Sequence, residues 1–320
     1  MRYGRLQILV FLVIVAVPSV STSSSFSAAN IGMLPGSSPT QAYVSEIPDL
    51  NDFWWNPAGL GFLERLEVAG GYMDYLTSLR GGLVGFGAPT RRGLSYDVYV
   101  SYLSTGQVDR TDFDDPTGGG DQTFSFGELV GGFAGGMKLH EAFSVGLGLK
   151  FAREQLDSDF KTGVLADAGA AFRFYASGDP QSGGLAAYLS AVGRNMVIAQ
   201  DGDGGGSPTG FEASVSLAGA GTTPFSGGFS YYVGQRGVRE VRAGIVGLIS
   251  SEFRASVGYR RRVGQNSDSS AGFSWVRGLT AGFGIRFGQV WADYTYEDSS
   301  PLDAIHRFGI TYTGAGLGSH

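Results

Sequence analysis

Residues 201 to 212 read Asp-Gly-Asp-Gly-Gly-Gly-Ser-Pro-Thr-Gly-Phe-Glu, which puts Asp201, Asp203, Gly206 and Glu212 at the first, third, sixth and twelfth places of a calcium loop. The chemistry fails at the remaining places. Gly205 supplies no oxygen, Pro208 interrupts the segment and no helical pattern flanks it, so it reads as a polar loop. Asp109, Asp112, Asp114 and Asp115 form a second acidic loop that could hold divalent cations beside anionic lipid, with simple solvation as the default. His140, His306 and His320 fall at presumed turns or ends, with no second histidine or carboxylate at metal spacing. Arg260, Arg261 and Arg262 form the one basic triplet, read as a charged turn at a membrane rim. No Gly-x-Ser-x-Gly elbow, phosphate loop or dinucleotide fingerprint is present, and the absence of cysteine excludes a thiol nucleophile, disulfides and thiolate metal sites. The expectation is a protein with no catalytic, cofactor or metal residues: not an enzyme.

Two other motifs carry structural chemistry. The first is Asp52-Phe53-Trp54-Trp55-Asn56-Pro57-Ala58-Gly59-Leu60, in which Asn56 can cap free backbone N–H groups and Pro57 stands at the first helical position, where a missing N–H costs nothing. Trp55, Asn56, Pro57, Ala58, Gly59 and Leu60 are thus predicted to form a capped turn that either pins a plug in place or touches a ligand. The second is Gly131-Gly132-Phe133-Ala134-Gly135-Gly136, whose paired glycines weaken a strand. Gly131, Gly132, Gly135 and Gly136 either let the wall kink or pack closely against the plug.

The elements that must hold these motifs are strands. Leu94, Tyr96, Val98, Val100 and Tyr102 share one face against Ser95, Asp97, Tyr99 and Ser101, the period of two expected when one face meets an apolar phase and the other a polar one. The same alternation recurs at 143–152, 164–174, 211–217, 253–259 and 307–312. Counting every such segment predicts strands at 66–74, 80–89, 93–103, 123–138, 143–157, 161–175, 184–195, 210–219, 225–234, 237–249, 252–262, 278–287, 289–297 and 305–314. Tight connections, such as Thr90 to Arg92 and Leu139 to Ala142, alternate with long polar ones, such as 104 to 122 and 198 to 209. The opposite faces are Gly, Ser and charge, too polar for the inner faces of a soluble sandwich. The fold class is therefore all-β: a transmembrane antiparallel β-barrel of about 14 strands.

Composition agrees. Charged residues make up 16% of the chain against about 25% in an ordinary soluble domain. Yet a mean hydropathy of +0.02 is far from that of a helical membrane protein, and alternation reconciles the two. A net charge of −6 argues against nucleic acid as a partner. At the N-terminus, Arg2 and Arg5 precede an apolar run from Ile8 to Val17, then Pro18 and small residues at Ser19 and Ser21, the order of a signal peptide. No cysteine follows for lipidation. Residues 23 to 65, with Pro35, Pro39, Pro48 and Pro57 and no sustained period of two, read as a short N-terminal plug. The expected organisation is a signal peptide over 1–22, the plug over 23–65 and the barrel over 66–320.

The Trp55-Asn56-Pro57-Ala58-Gly59-Leu60 segment, with Ala42-Tyr43-Val44 before it and Asp293-Tyr294-Thr295-Tyr296 and His306-Arg307 near the end, resembles the PorV/PorQ family of outer-membrane proteins, related in architecture to FadL-type fatty-acid channels. The chain departs from the family pattern at Thr40-Gln41, where Gly-Gly is common, and at its Gly-Ser-His terminus. The resemblance implies a bacterial outer-membrane location, with outer-membrane lipid as a partner. It also implies a component of protein secretion or surface transport with secretion-system partners, or alternatively a channel for a hydrophobic ligand. In FadL-like channels a strand kink beside the plug forms a lateral exit, a role the resemblance extends to the Gly131–Gly136 stretch.

Overall fold

The computed structural model describes residues 54–75, 79–90, 93–109, 123–177, 184–201, 209–219, 224–234, 238–263, 278–298 and 304–316. The expected signal peptide and the plug up to residue 53 lie outside them.

A short 3-10 turn, Pro57–Phe62, precedes fourteen strands. In chain order they are β1 (Arg65–Tyr75), β2 (Leu79–Pro89), β3 (Leu94–Asp109), β4 (Thr123–His140), β5 (Phe143–Leu156), β6 (Asp159–Ser177) and β7 (Leu185–Gln200). The second half comprises β8 (Gly210–Gly219), β9 (Phe225–Gly234), β10 (Arg239–Leu248), β11 (Phe253–Val263), β12 (Leu279–Phe287), β13 (Val290–Asp298) and β14 (Ala304–Gly316). Every strand pairs antiparallel with its sequence neighbours, and β1 pairs with β14, so the sheet closes on itself and leaves no edge.

The pleat explains why this sequence chooses a barrel. On β3, Val98 is 48% exposed on the outer face while Asp97 beside it is 1% exposed on the inner one. Leu94, Tyr96, Val100 and Tyr102 follow Val98 outward; Ser95, Tyr99 and Ser101 follow Asp97 inward. A sheet with an apolar outer surface and a polar interior is stable only where the outer phase is apolar. Val98→Arg is accordingly expected to destabilise the folded barrel in lipid vesicles by about 2–4 kcal/mol, the cost of arginine at a bilayer midplane, with Val98→Phe near neutral. Urea titration followed by tryptophan fluorescence measures this, and equal effects of the two variants would show that Val98 does not face lipid.

Four features differ from the sequence reading. β3 and β7 run well past residues 103 and 195, because alternation fades where a strand rises beyond the apolar belt while its ladder continues. Long connections at one end do not alternate strictly with tight ones at the other, since β5 and β6 are joined at that end by Asp157-Ser158, with Asp157 at φ 57°. Arg260, Arg261 and Arg262 do not form a turn but lie within β11, and alternation sends Arg260 inward, where it meets Glu297. His306 is not at a turn or end either: it sits in β14, with its Nδ1 2.8 Å from the Tyr294 hydroxyl. The β2–β3, β4–β5, β10–β11 and β12–β13 connections define one end of the barrel, the turn end, and the opposite end is the loop end.

Candidate functional site

The candidate site is the barrel interior, and it begins with the short turn packed against the inner wall. Asn56, 1% exposed, caps the 3-10 turn: its Oδ1 accepts a hydrogen bond from the Ala58 N–H at 3.0 Å, and Pro57 follows at the first helical position. The turn lies against β3, β4, β5 and β6. Its seat is a row of three glycines directly opposite one another, Gly136 on β4, Gly146 on β5 and Gly169 on β6. A Cβ at Gly136 would lie 2.5 Å from the Leu60 Cβ, one at Gly146 would land on the Pro57 carbonyl, and one at Gly169 on the Asn56 carboxamide. Only side-chain-free positions let the two backbones approach this closely. The Ser144 hydroxyl then donates to the Ala58 carbonyl at 2.6 Å and ties the turn to β5.

The Gly131–Gly136 stretch divides by face. Gly136 seats the turn, and Gly132 makes room for the Tyr99 ring that crosses it, while Gly131 and Gly135 pair with the outward residues Val100 and Tyr96. Both ladders of β4 keep register through the stretch, so no bulge forms there. The irregular seam is β6–β7, with three register shifts. Arg194 and Asn195 oppose the single residue Asp167 there, with Asn195 at φ 54°.

Above the turn the interior has two unlike sectors. One is apolar: Met73, Tyr99, Leu103, Val130, Leu165 and Ile305 pack together, all buried, with Trp54 against them and its ring centroid 3.8 Å from that of Tyr99. The other is charged. Glu212 stands 2.6 Å from Arg194 and 3.3 Å from Arg242, and Arg242 also donates to Glu240 at 2.5 Å. Glu297 joins Arg307 at 2.8 Å and Arg260, and Arg254 grips Asp293 with two bonds of 2.7 and 2.6 Å. Lys150 bridges Asp167 at 2.6 Å and the Asn195 side chain at 2.7 Å. Trp55 spans to this sector, its ring 4.5 Å from the Arg194 guanidinium and 5.4 Å from that of Arg242. The two adjacent tryptophans before the turn therefore serve one sector each.

Alternation already turns Tyr99, Lys150, Asp167, Glu212, Arg254 and Arg307 inward, but it shows neither how the charges pair nor that part of the lining is apolar. The apolar sector arises where both faces of a strand are apolar, as in Val98-Tyr99-Val100 and Val164-Leu165-Ala166, so the period of two is masked. The charged sector arises from single charges on inward positions, and Glu212, the last place of the supposed calcium loop, belongs to β8 and this network. Near the turn end a cavity of about 500 Å³ opens beside the 3-10 turn between Phe62, Arg65, Lys138 and Arg173, and Arg173 lies 4.7 Å from the Phe62 ring. Among the described residues no group of histidine or carboxylate side chains is placed to hold a metal ion.

The sequence matches no protein-family model and no curated protein. The fold does match solved structures. The chain is similar to the Pseudomonas putida toluene transporter TodX, with a TM-score of 0.53, 9% identity and coverage of 88% of this chain and 98% of that one. It is also similar to the Ralstonia pickettii toluene transporter TbuX, with a TM-score of 0.51, 10% identity and coverage of 84% and 94%. At such identities the likeness establishes the closed fourteen-stranded architecture and nothing finer.

Proposed function

We propose that this protein is a non-enzymatic bacterial outer-membrane barrel that passes a hydrophobic small molecule, in the manner of the FadL-like channels it resembles. The observation that carries the reading is the apolar sector of Met73, Leu103, Val130, Leu165 and Ile305, set over Trp54 inside a barrel whose alternation otherwise sends polar residues inward. Residues 1–22 serve as the export signal, and residues 23–65 as the plug whose turn sits on the glycine row. The transport of toluene by TodX and TbuX, architectures of the same kind, supports a small apolar cargo. The irregular β6–β7 seam beside Leu165 and Val197 is the place for a lateral path, because it is there that the ladder loses register. A role in protein secretion rests on the resemblance to PorV/PorQ alone, and it predicts exported proteins that co-purify with the barrel.

Detergent-purified protein is expected to bind the apolar fluorophore N-phenyl-1-naphthylamine saturably. Leu165→Asp should weaken that binding by about tenfold or more, since it replaces buried apolar surface with a carboxylate that has no built partner. The variant should still migrate as a heat-modifiable band in SDS. Binding that does not saturate, or that ignores the substitution, would overturn the channel reading.

A further inference from the structure

The outer wall of β4–β7 carries a groove of about 480 Å³ toward the loop end. Its floor is one row of the sheet, Gly131, Phe151, Val164 and Ala199, paired in register across the four strands. Phe151 is 61% exposed and stands as a ridge, while the space a Cβ would take at Gly131 is open for 4 Å around. The next row toward the loop end holds Arg153, paired with Thr162. Thr162 in turn hydrogen-bonds the nearby Asp201 carboxylate. The groove is thus apolar along its floor, and its loop-end rim carries the Arg153 guanidinium together with the Asp201 carboxylate that Thr162 engages.

Arg153 is the unusual residue. It projects outward with Phe151 and Leu129 on its apolar side and Gln155 and Thr162 on its polar side, and among the described residues its guanidinium has no carboxylate partner. It lies 4.9 Å from the Phe160 ring, just past the Asp157-Ser158 turn, so its charged end leans toward the loop-end edge of the apolar belt. An arginine on a lipid-facing wall is tolerated near the interface, and there it is placed to meet anionic headgroups. Its planar fork matches a phosphate in two-pronged contact.

We propose that this groove holds one phosphate-bearing anionic lipid of the outer leaflet, with an acyl chain along Gly131, Phe151 and Val164 and the phosphate on Arg153. The inference rests on the membrane location given above and not on the cargo of the interior.

Native mass spectrometry of the full chain in detergent, titrated with lipid A, tests it. One lipid A should stay bound, while dephosphorylated lipid A is lost and inorganic phosphate does not compete. Arg153→Gln should weaken retention by about tenfold, the worth of a charge-assisted contact. Gly131→Leu, which keeps the cation but fills the floor, should weaken it comparably. Arg261→Gln, an outward arginine on β11 away from the groove, should leave it unchanged. Equal losses in Arg153→Gln and Arg261→Gln, equal retention of the dephosphorylated lipid, or displacement by inorganic phosphate would each overturn the proposal. A chain soluble without detergent and with unaltered mobility on boiling would instead overturn the membrane location itself.

Discussion

Glu212→Ala is expected to lower the unfolding free energy of the barrel in lipid vesicles by about 3–5 kcal/mol, the cost of stranding buried charge by removing one partner. Glu212 is the shared acceptor of Arg194 and Arg242, and all three are buried. Its loss leaves Arg194 with the Trp55 and Tyr232 rings as its remaining contacts of note, whereas Arg242 keeps Glu240. The double variant Arg194→Met with Glu212→Leu should recover most of that loss, because removing both partners leaves no uncompensated charge. Urea unfolding of the single and double variants supplies the comparison. A single-variant effect below about 1 kcal/mol would mean that the interior pairs are screened by water like surface ones.

Gly146→Ala is expected to unseat the 3-10 turn Pro57–Phe62 while the wall still closes. The added methyl would occupy the place of the Pro57 carbonyl, and backbone on both sides leaves no flexible chain end to give way. Gly148→Ala provides the matched control, since a Cβ there meets the Ala134 Cβ at an ordinary 3.4 Å. Alanine at either place suits a strand at least as well as glycine, so the ladder itself should be kept. Limited proteolysis should cut the Gly146→Ala variant within residues 54–62 and spare the Gly148→Ala variant, and conductance across planar bilayers should rise only in the former. Equal protection of the two would show that the turn is held by something other than the glycine row.

Most of the wall was readable in advance because lipid and water write opposite demands on alternate residues. The Val98 and Asp97 faces, and likewise Phe308, Ile310 and Tyr312 against Arg307 and Thr311, came from that rule alone. The capped turn was readable as well, since Asn56 and Pro57 act locally. What lay inside was harder. Alternation marks Ser101 as inward, which suggests a wet and tolerant position, but Ser101 is buried, so a large cation there would collide with packed neighbours. The partners of Arg194 and Arg307 lie on other strands, 18 and 10 residues away along the chain, and their pairing depends on a register that no single strand displays. The glycine row shows the same limit. Gly136, Gly146 and Gly169 each look like an ordinary weak spot, and become one surface only when three strands are aligned.

The closure of β1 onto β14 is unlike the other pairings in the ring. Each of those joins strands adjacent in sequence, but Tyr72 opposite Phe308 and Gly70 opposite Ile310 join the two extremes of the barrel. Wall building can therefore proceed as a series of short loop closures, each of modest entropic cost, until one final step brings together residues separated by nearly the whole barrel. Up to that step the sheet has two bare edges, each a row of unsatisfied N–H and C=O groups that an apolar medium cannot solvate. A chain that lacks β14 is consequently not a smaller pore but an open ribbon, and Phe308, Ile310 and Tyr312 serve both as lipid contacts and as the fastening that ends its exposure.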